Sequence, residues 1–116
     1  MEKGKNNMEN QKMSKFLILY QDVNYEDTFT PELSNELTKK HVDHIRDLDS
    51  KGILFLCGPL KGREEGMFIL NAKTFEEAEG YVKKDPFIIN RCYKNYFIYE
   101  IEEANAGNNY LLENYF

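Results

Sequence analysis

The chain has no tryptophan, and among its 116 residues it has two histidines, two cysteines and three prolines. Each shortage excludes a chemistry. Cys57 and Cys92 lie far apart, with neither CxxC spacing nor a neighbouring histidine. That pattern argues against a disulfide framework, a cysteine-based zinc site or a base-activated thiol nucleophile, and both are read as reduced, partly buried thiols. Positive charge is also in deficit, the net charge being −5, so the surface repels a phosphate backbone and nucleic acid is not an expected partner. No apolar run approaches the ~18 residues of a membrane span, and the polar start MEKGKNNMENQKMSK lacks the apolar stretch of a signal peptide. A cytoplasmic protein with no membrane partner is expected.

What is present suffices for one folded unit. Apolar residues make up 41% of the chain and aromatics 14%, enough for a single core in a domain small enough that pairing with a second copy is a common means of stabilisation. Residues 1–14 show no apolar period and read as a flexible lead-in; 15–103 form the domain; 104–116, ending in YLLENYF, are an apolar extension expected to dock on the body or on a partner subunit.

Within the domain, Phe16–Tyr20 is an apolar run of strand length. Thr30-Pro31-Glu32 supplies a cap, a proline suited to the first helical turn and an acidic residue at the positive end, so a helix starts there. Its apolar positions Leu33, Leu37, Ile45 and Leu48 fall within an arc of roughly 120°, and His41 and His44 lie inside the same arc. Gly52 closes the helix. Ile53–Cys57 and Met67–Leu70 are strands joined by GPLKGREEG as an antiparallel hairpin. That loop lacks the glycine spacing and the Lys-Ser/Thr of a phosphate cradle. Thr74 and Glu77 form a capping box that opens a second helix burying Phe75, Ala78 and Val82, and Asp85-Pro86 stops it. Phe87–Ile89 is an apolar bend, and Tyr93–Ile101 is the fourth strand. The order β-α-β-β-α-β is an α+β, ferredoxin-like pattern: an antiparallel sheet with both helices on one face. Strands apolar on both sides, such as FLILY and ILFLC, imply that a second molecule covers the other face.

His41, Leu48 and Gly52, then Gly58-Pro59, then Gly66 opening a strand, then Asp85-Pro86-Phe87 form an ordered set. Together, over residues 16–101, they resemble the YciI-like (YCII-related) family. The resemblance implies a dimeric α+β barrel, a homodimer joined face to face, in a superfamily that includes lactone isomerases and cofactor-independent monooxygenases. It also implies that His41 and Asp85 are the active-site pair.

The chemistry of the residues agrees with that pair. A partly desolvated histidine on the sheet-facing side of a helix, oriented by a carboxylate, is suited to taking and returning a proton. Isomerisation, elimination or hydrolysis of a small ring-bearing ligand would follow, with no cofactor and no metal. The histidines stand three residues apart, which permits shared zinc ligation, but no HExxH motif or cysteine cluster accompanies them. Gly58 and Pro59 are expected at the pocket rim. Arg63 is a candidate for binding a substrate carboxylate, with Lys61 and Arg91 as further cations. Tyr20, and Tyr93, Tyr96 and Tyr99 along the last strand, are candidates for lining a cavity and donating a hydrogen bond. The competing reading is a non-catalytic dimeric protein that binds a small molecule, with His41 and Asp85 as a structural pair.

Overall fold

The computed structural model describes residues 12–26 and 29–115. Most of the expected lead-in (1–11), together with residues 27 and 28, lies outside them. The elements run β1 (Ser14–Val23), α1 (Pro31–Ser50), β2 (Leu54–Pro59), β3 (Gly66–Ala72), α2 (Phe75–Lys83), α3 (Pro86–Ile89) and β4 (Tyr93–Ile101), followed by a 3-10 segment (Ala106–Leu111) and α4 (Leu112–Tyr115). The sheet order is β2-β3-β1-β4, with every neighbouring pair antiparallel. This is the expected ferredoxin-like α+β arrangement. β1 is central, and its alternation divides the molecule: Phe16, Ile18 and Tyr20 are buried on one face, while Leu17 and Leu19 stay half-buried on the other.

The buried face carries the core. Phe16, Ile18, Tyr20, Phe68, Leu70 and Ala72 from the sheet meet Leu48 of α1 and Ala78 and Val82 of α2. Each large side chain so buried contributes about 1.5–3 kcal/mol by its removal from water. α1 is held at both ends. Thr30 Oγ1 accepts the Leu33 N–H at 3.1 Å, and Gly52 adopts a left-handed conformation (φ 74°). That conformation lets Gly52 N–H reach Asp49 O and Ile53 N–H reach Leu48 O, the paired bonds of a Schellman stop.

Several local expectations are corrected. Phe75 at the start of α2 is exposed, because the first residue of a helix that enters from a turn need not face the sheet. Thr74 caps Glu77 N–H at 3.0 Å, but the Glu77 carboxylate accepts from Lys73 N–H at 2.7 Å rather than from the cap residue itself. Residues 87–89 belong to the short helix α3, nucleated by Asp85, whose Oδ1 accepts the Phe87 N–H. Apart from these corrections, Leu111 in the C-terminal segment is buried, while Tyr110 and Leu112 are exposed.

On the other sheet face, large apolar side chains stay exposed among the described residues. A bulge between Leu54 and Leu56 places Leu56 opposite Ile69, and Lys15 lies over the Phe55 ring at 5.0 Å. Phe55, Leu56, Phe97 and Tyr99 are 59%, 52%, 41% and 53% exposed. Among the described residues no helix is long and apolar enough to cross a membrane.

Candidate functional site

α1 carries its histidines between two anchors, the buried Leu37 and Leu48, and packs them toward α2 and the segment that follows it. His44 Nε2 donates to Tyr81 O, 2.9 Å away in the last turn of α2, a carbonyl of the kind a helix end leaves with spare accepting capacity. His41, about one turn earlier, meets a different group. Its Nδ1 lies 2.8 and 2.9 Å from the two carboxylate oxygens of Asp85.

Asp85 is fully buried. A carboxylate so placed is tolerable only when its lone pairs are occupied, and three donors converge on it: His41 Nδ1–H, the Tyr20 hydroxyl at 2.7 Å and the Phe87 N–H at 2.9 Å. The last is the helix-capping bond of α3, so one side chain both starts a helix and orients a histidine. Tyr20 has its acidity suppressed, first by burial and then by the neighbouring Asp85; it therefore remains a donor. The His41 ring is sandwiched by packing. It stacks on Phe87 at 3.9 Å with 9° between the planes, and meets Phe68 edge-on at 5.8 Å.

Because Nδ1 faces the carboxylate, it is the nitrogen that donates there, and in the neutral form of the ring Nε2 is the one that holds the lone pair. Nε2 has no hydrogen-bond partner among the described residues, and His41 lines a cavity of about 390 Å³, within the range that accepts small molecules. Around it stand Tyr20, Thr38, Val42, Ile45, Cys57, Gly58, Pro59, Gly66, Met67, Phe68, Phe87 and Tyr93. The wall is almost wholly apolar, with an oriented imidazole set into it. Such an arrangement can remove a proton from a ligand, hold the resulting imidazolium against Asp85, and give the proton back.

The structure thus brings His41 and Asp85 together and puts Gly58 and Pro59 on the cavity wall. Tyr20 also lines the cavity, but its hydroxyl is committed to Asp85. Arg63 is elsewhere: it is exposed, paired with Glu65 at 2.7 and 3.2 Å, and absent from the cavity wall. Cys57 and Cys92 are free thiols, half-buried, each made less acidic by burial. Among the described residues no three His, Cys, Asp or Glu side chains cluster as metal ligands do. Sequence reasoning missed Phe87, Thr38 and Met67. Phe87 had a signal, since a residue two places after a capping aspartate is held beside it; Thr38 is three residues before His41 on the same helix.

The YCII-related domain matches residues 14–102 of this chain. No curated protein matches it. Among solved structures, a similar chain is 5-chloro-2-hydroxyhydroquinone dehydrochlorinase (TftG) from Burkholderia phenoliruptrix AC1100, in complex with 2,5-dihydroxybenzoquinone. The two share 13% identity with a TM-score of 0.59, over 76% of this chain and 94% of the other. At that identity the likeness is one of fold.

Proposed function

The chain belongs to the YCII-related domain family, and from that premise we propose that it is an enzyme in which His41 and Asp85 transfer a proton on a small ring-bearing metabolite. The observation that carries this reading is the setting of His41: its Nδ1 is bound to a buried carboxylate, and the residue lines an apolar cavity. Nε2 takes a proton from a C–H or O–H of the ligand, and the electron pair left behind moves into the ring system. Returning the proton elsewhere gives an isomerisation. Expelling a leaving group gives an elimination, the class to which the name of the structural neighbour, a dehydrochlorinase, belongs; taking the proton from a water molecule instead lets its oxygen add to an ester or lactone carbonyl, and the proton then passes from His41 to the departing alkoxide oxygen, which gives a hydrolysis. Side chains alone supply every step, so no cofactor or metal is invoked. Gly58 and Pro59 shape the wall against which the ring lies, and Tyr20 acts through Asp85.

The working unit in this reading is a homodimer. The exposed Phe55, Leu56, Phe97 and Tyr99 on one sheet face support it, since contiguous apolar surface of this kind is normally covered. Leu56→Glu is expected to convert a dimer to a monomer in light scattering; a wild-type chain that is monomeric at micromolar concentration removes the proposal. The free thiols suit the reducing cytoplasm.

Proton transfer is tested by NMR in D2O with a panel of hydroxylated and oxo ring compounds. Wild type is expected to accelerate exchange of an acidic ring proton, and His41→Ala to abolish the acceleration. Exchange equal in both proteins overturns the role of His41. Binding without exchange for every compound favours a non-catalytic binding protein instead.

A further inference from the structure

Besides His41, the cavity wall carries three hydroxyl side chains, Tyr20, Thr38 and Tyr93, and the first two are engaged. The Tyr20 hydroxyl serves Asp85, and the Thr38 hydroxyl donates to Ser34 O at 2.8 Å. Tyr93, the first residue of β4, lines the same cavity, and its hydroxyl has no hydrogen-bond partner among the described residues. That oxygen lies beside Gly66, 3.8 Å from where a side-chain carbon would begin. Its ring is fixed by Tyr20 at 5.4 Å and by Phe87 at 6.0 Å, and Phe87 is the ring on which His41 stacks. His41 and Tyr93, each with a polar atom unengaged among the described residues, thus line one apolar chamber and pack against a common aromatic ring, Phe87.

The second observation is a charge that the chamber does not have. Among the described residues its wall holds no lysine and no arginine, and the carboxylate of Asp85 lies directly behind His41. Arg63 is paired with Glu65 and stands outside it. An anionic ligand would give up its hydration here without a cation to replace it, close to a carboxylate.

We infer that Tyr93 is a ligand-positioning residue, donating its hydroxyl proton to a second, carbonyl oxygen of a ligand whose ring hydroxyl serves His41, and that the ligand is an uncharged ring bearing both oxygens, and not a carboxylate or phosphate ester. The inference rests on the reading of the His41 cavity as the ligand site. Burial, followed by the nearby Cys92 and Asp85, raises the Tyr93 pKa, so the phenol remains a donor throughout neutral pH. A donor in an apolar wall also discriminates strongly, because it is left unpaired by any ligand that lacks the matching acceptor.

The experiment is calorimetric titration of the full chain with 3- and 4-hydroxyacetophenone, 4-ethylphenol and 4-hydroxybenzoate. These rings are close in size and differ in the acceptor and in charge. For wild type, the better hydroxyacetophenone isomer is expected to bind at least about tenfold more tightly than 4-hydroxybenzoate. Tyr93→Phe is expected to weaken that isomer by about tenfold, the worth of one neutral hydrogen bond, while leaving 4-ethylphenol within about twofold. The constant 4-ethylphenol affinity separates loss of a donor from a damaged pocket. Equal weakening of both ligands, tighter binding of the benzoate, or no binding of either acetophenone at millimolar concentration overturns the inference. The proton-transfer reading fails separately: an intact Tyr93 effect with no deuterium exchange overturns catalysis alone, and exchange that does not depend on Tyr93 overturns this inference alone.

Discussion

His41 and His44 stand three residues apart on one face of α1 and meet different atoms, a buried carboxylate and a backbone carbonyl. A carbonyl is a fixed acceptor. It holds His44 as a donor that joins two helices, with no second group for the ring to act upon. Asp85 can balance a charge on the ring it faces, and in the proposed reaction a ligand in the cavity that His41 lines is the source of that charge. The difference is made by α2: its last turn presents Tyr81 O to one histidine, and the break after it presents Asp85 to the other. Two residues of one type on one helix therefore acquire separate roles from where the second helix ends.

The largest expected effect tests the carboxylate side. Asp85→Ala leaves the Tyr20 hydroxyl, the Phe87 N–H and His41 Nδ1–H without an acceptor in a dry interior, a loss of about 3–5 kcal/mol in unfolding free energy measured with urea. Asp85→Asn keeps an oxygen for the cap and is expected to cost roughly half as much while still removing proton exchange. If Asp85→Ala costs no more than about 1 kcal/mol, the buried acceptor is not what distinguishes the two histidines.

The second prediction separates the histidines by function. His41→Ala is expected to lower the exchange rate by about a hundredfold or more, and His44→Ala by less than about threefold, since His44 is not part of the wall of the cavity that His41 lines. Similar losses in both variants would erase the contrast.

Tyr20→Phe removes one of the three donors to Asp85 and is expected to cost about 1–2 kcal/mol. Its pH dependence has a definite sign. The hydroxyl has a folded pKa raised above the ordinary value of 10.0, so the folded state retains the proton after the unfolded chain has lost it. Stability is full below about pH 10 and falls above it, by up to about 1.4 kcal/mol per pH unit for each such tyrosine. Tyr81, Tyr93 and Tyr96 share the direction, so Tyr20→Phe flattens the alkaline flank without abolishing it. A flank of unchanged slope, followed by urea unfolding between pH 9 and 11, would argue that Tyr20 is not held protonated.

The smallest effect belongs to His44→Ala. It deletes one bond to Tyr81 O, which also accepts from Lys84 N–H, and about 1 kcal/mol is expected. A cost equal to that of Asp85→Ala would make His44, not His41, the more deeply embedded of the two.

Much of this arrangement is readable along the chain. Thr30, Pro31 and Gly52 bound α1 because capping and left-handed backbone are local requirements, and the apolar period sets which side His41 and His44 face. Asp85-Pro86 ends α2 for a local reason as well. The Asp85–Tyr20 bond joins residues 65 positions apart, and no periodicity reports it. Arg63 and Tyr20 have the residue types of a ligand site, yet the fold pairs one with Glu65 at the surface and gives the hydroxyl of the other to Asp85. Tyr93 is one of three tyrosines along β4, and its place in the cavity depends on how Phe87 and Gly66 pack around it.

The sequence by itself determined the order of elements, the ends of the first helix and the side of it that carries both histidines, because caps, glycine stops and apolar spacing act over a few residues. Tertiary structure decided which histidine meets a carboxylate, which polar groups are already engaged and which remain free in the cavity. Those distances are set by the packing of α1 and α2 across the sheet, where the need to pair every buried donor and acceptor selects partners that lie far apart in the chain.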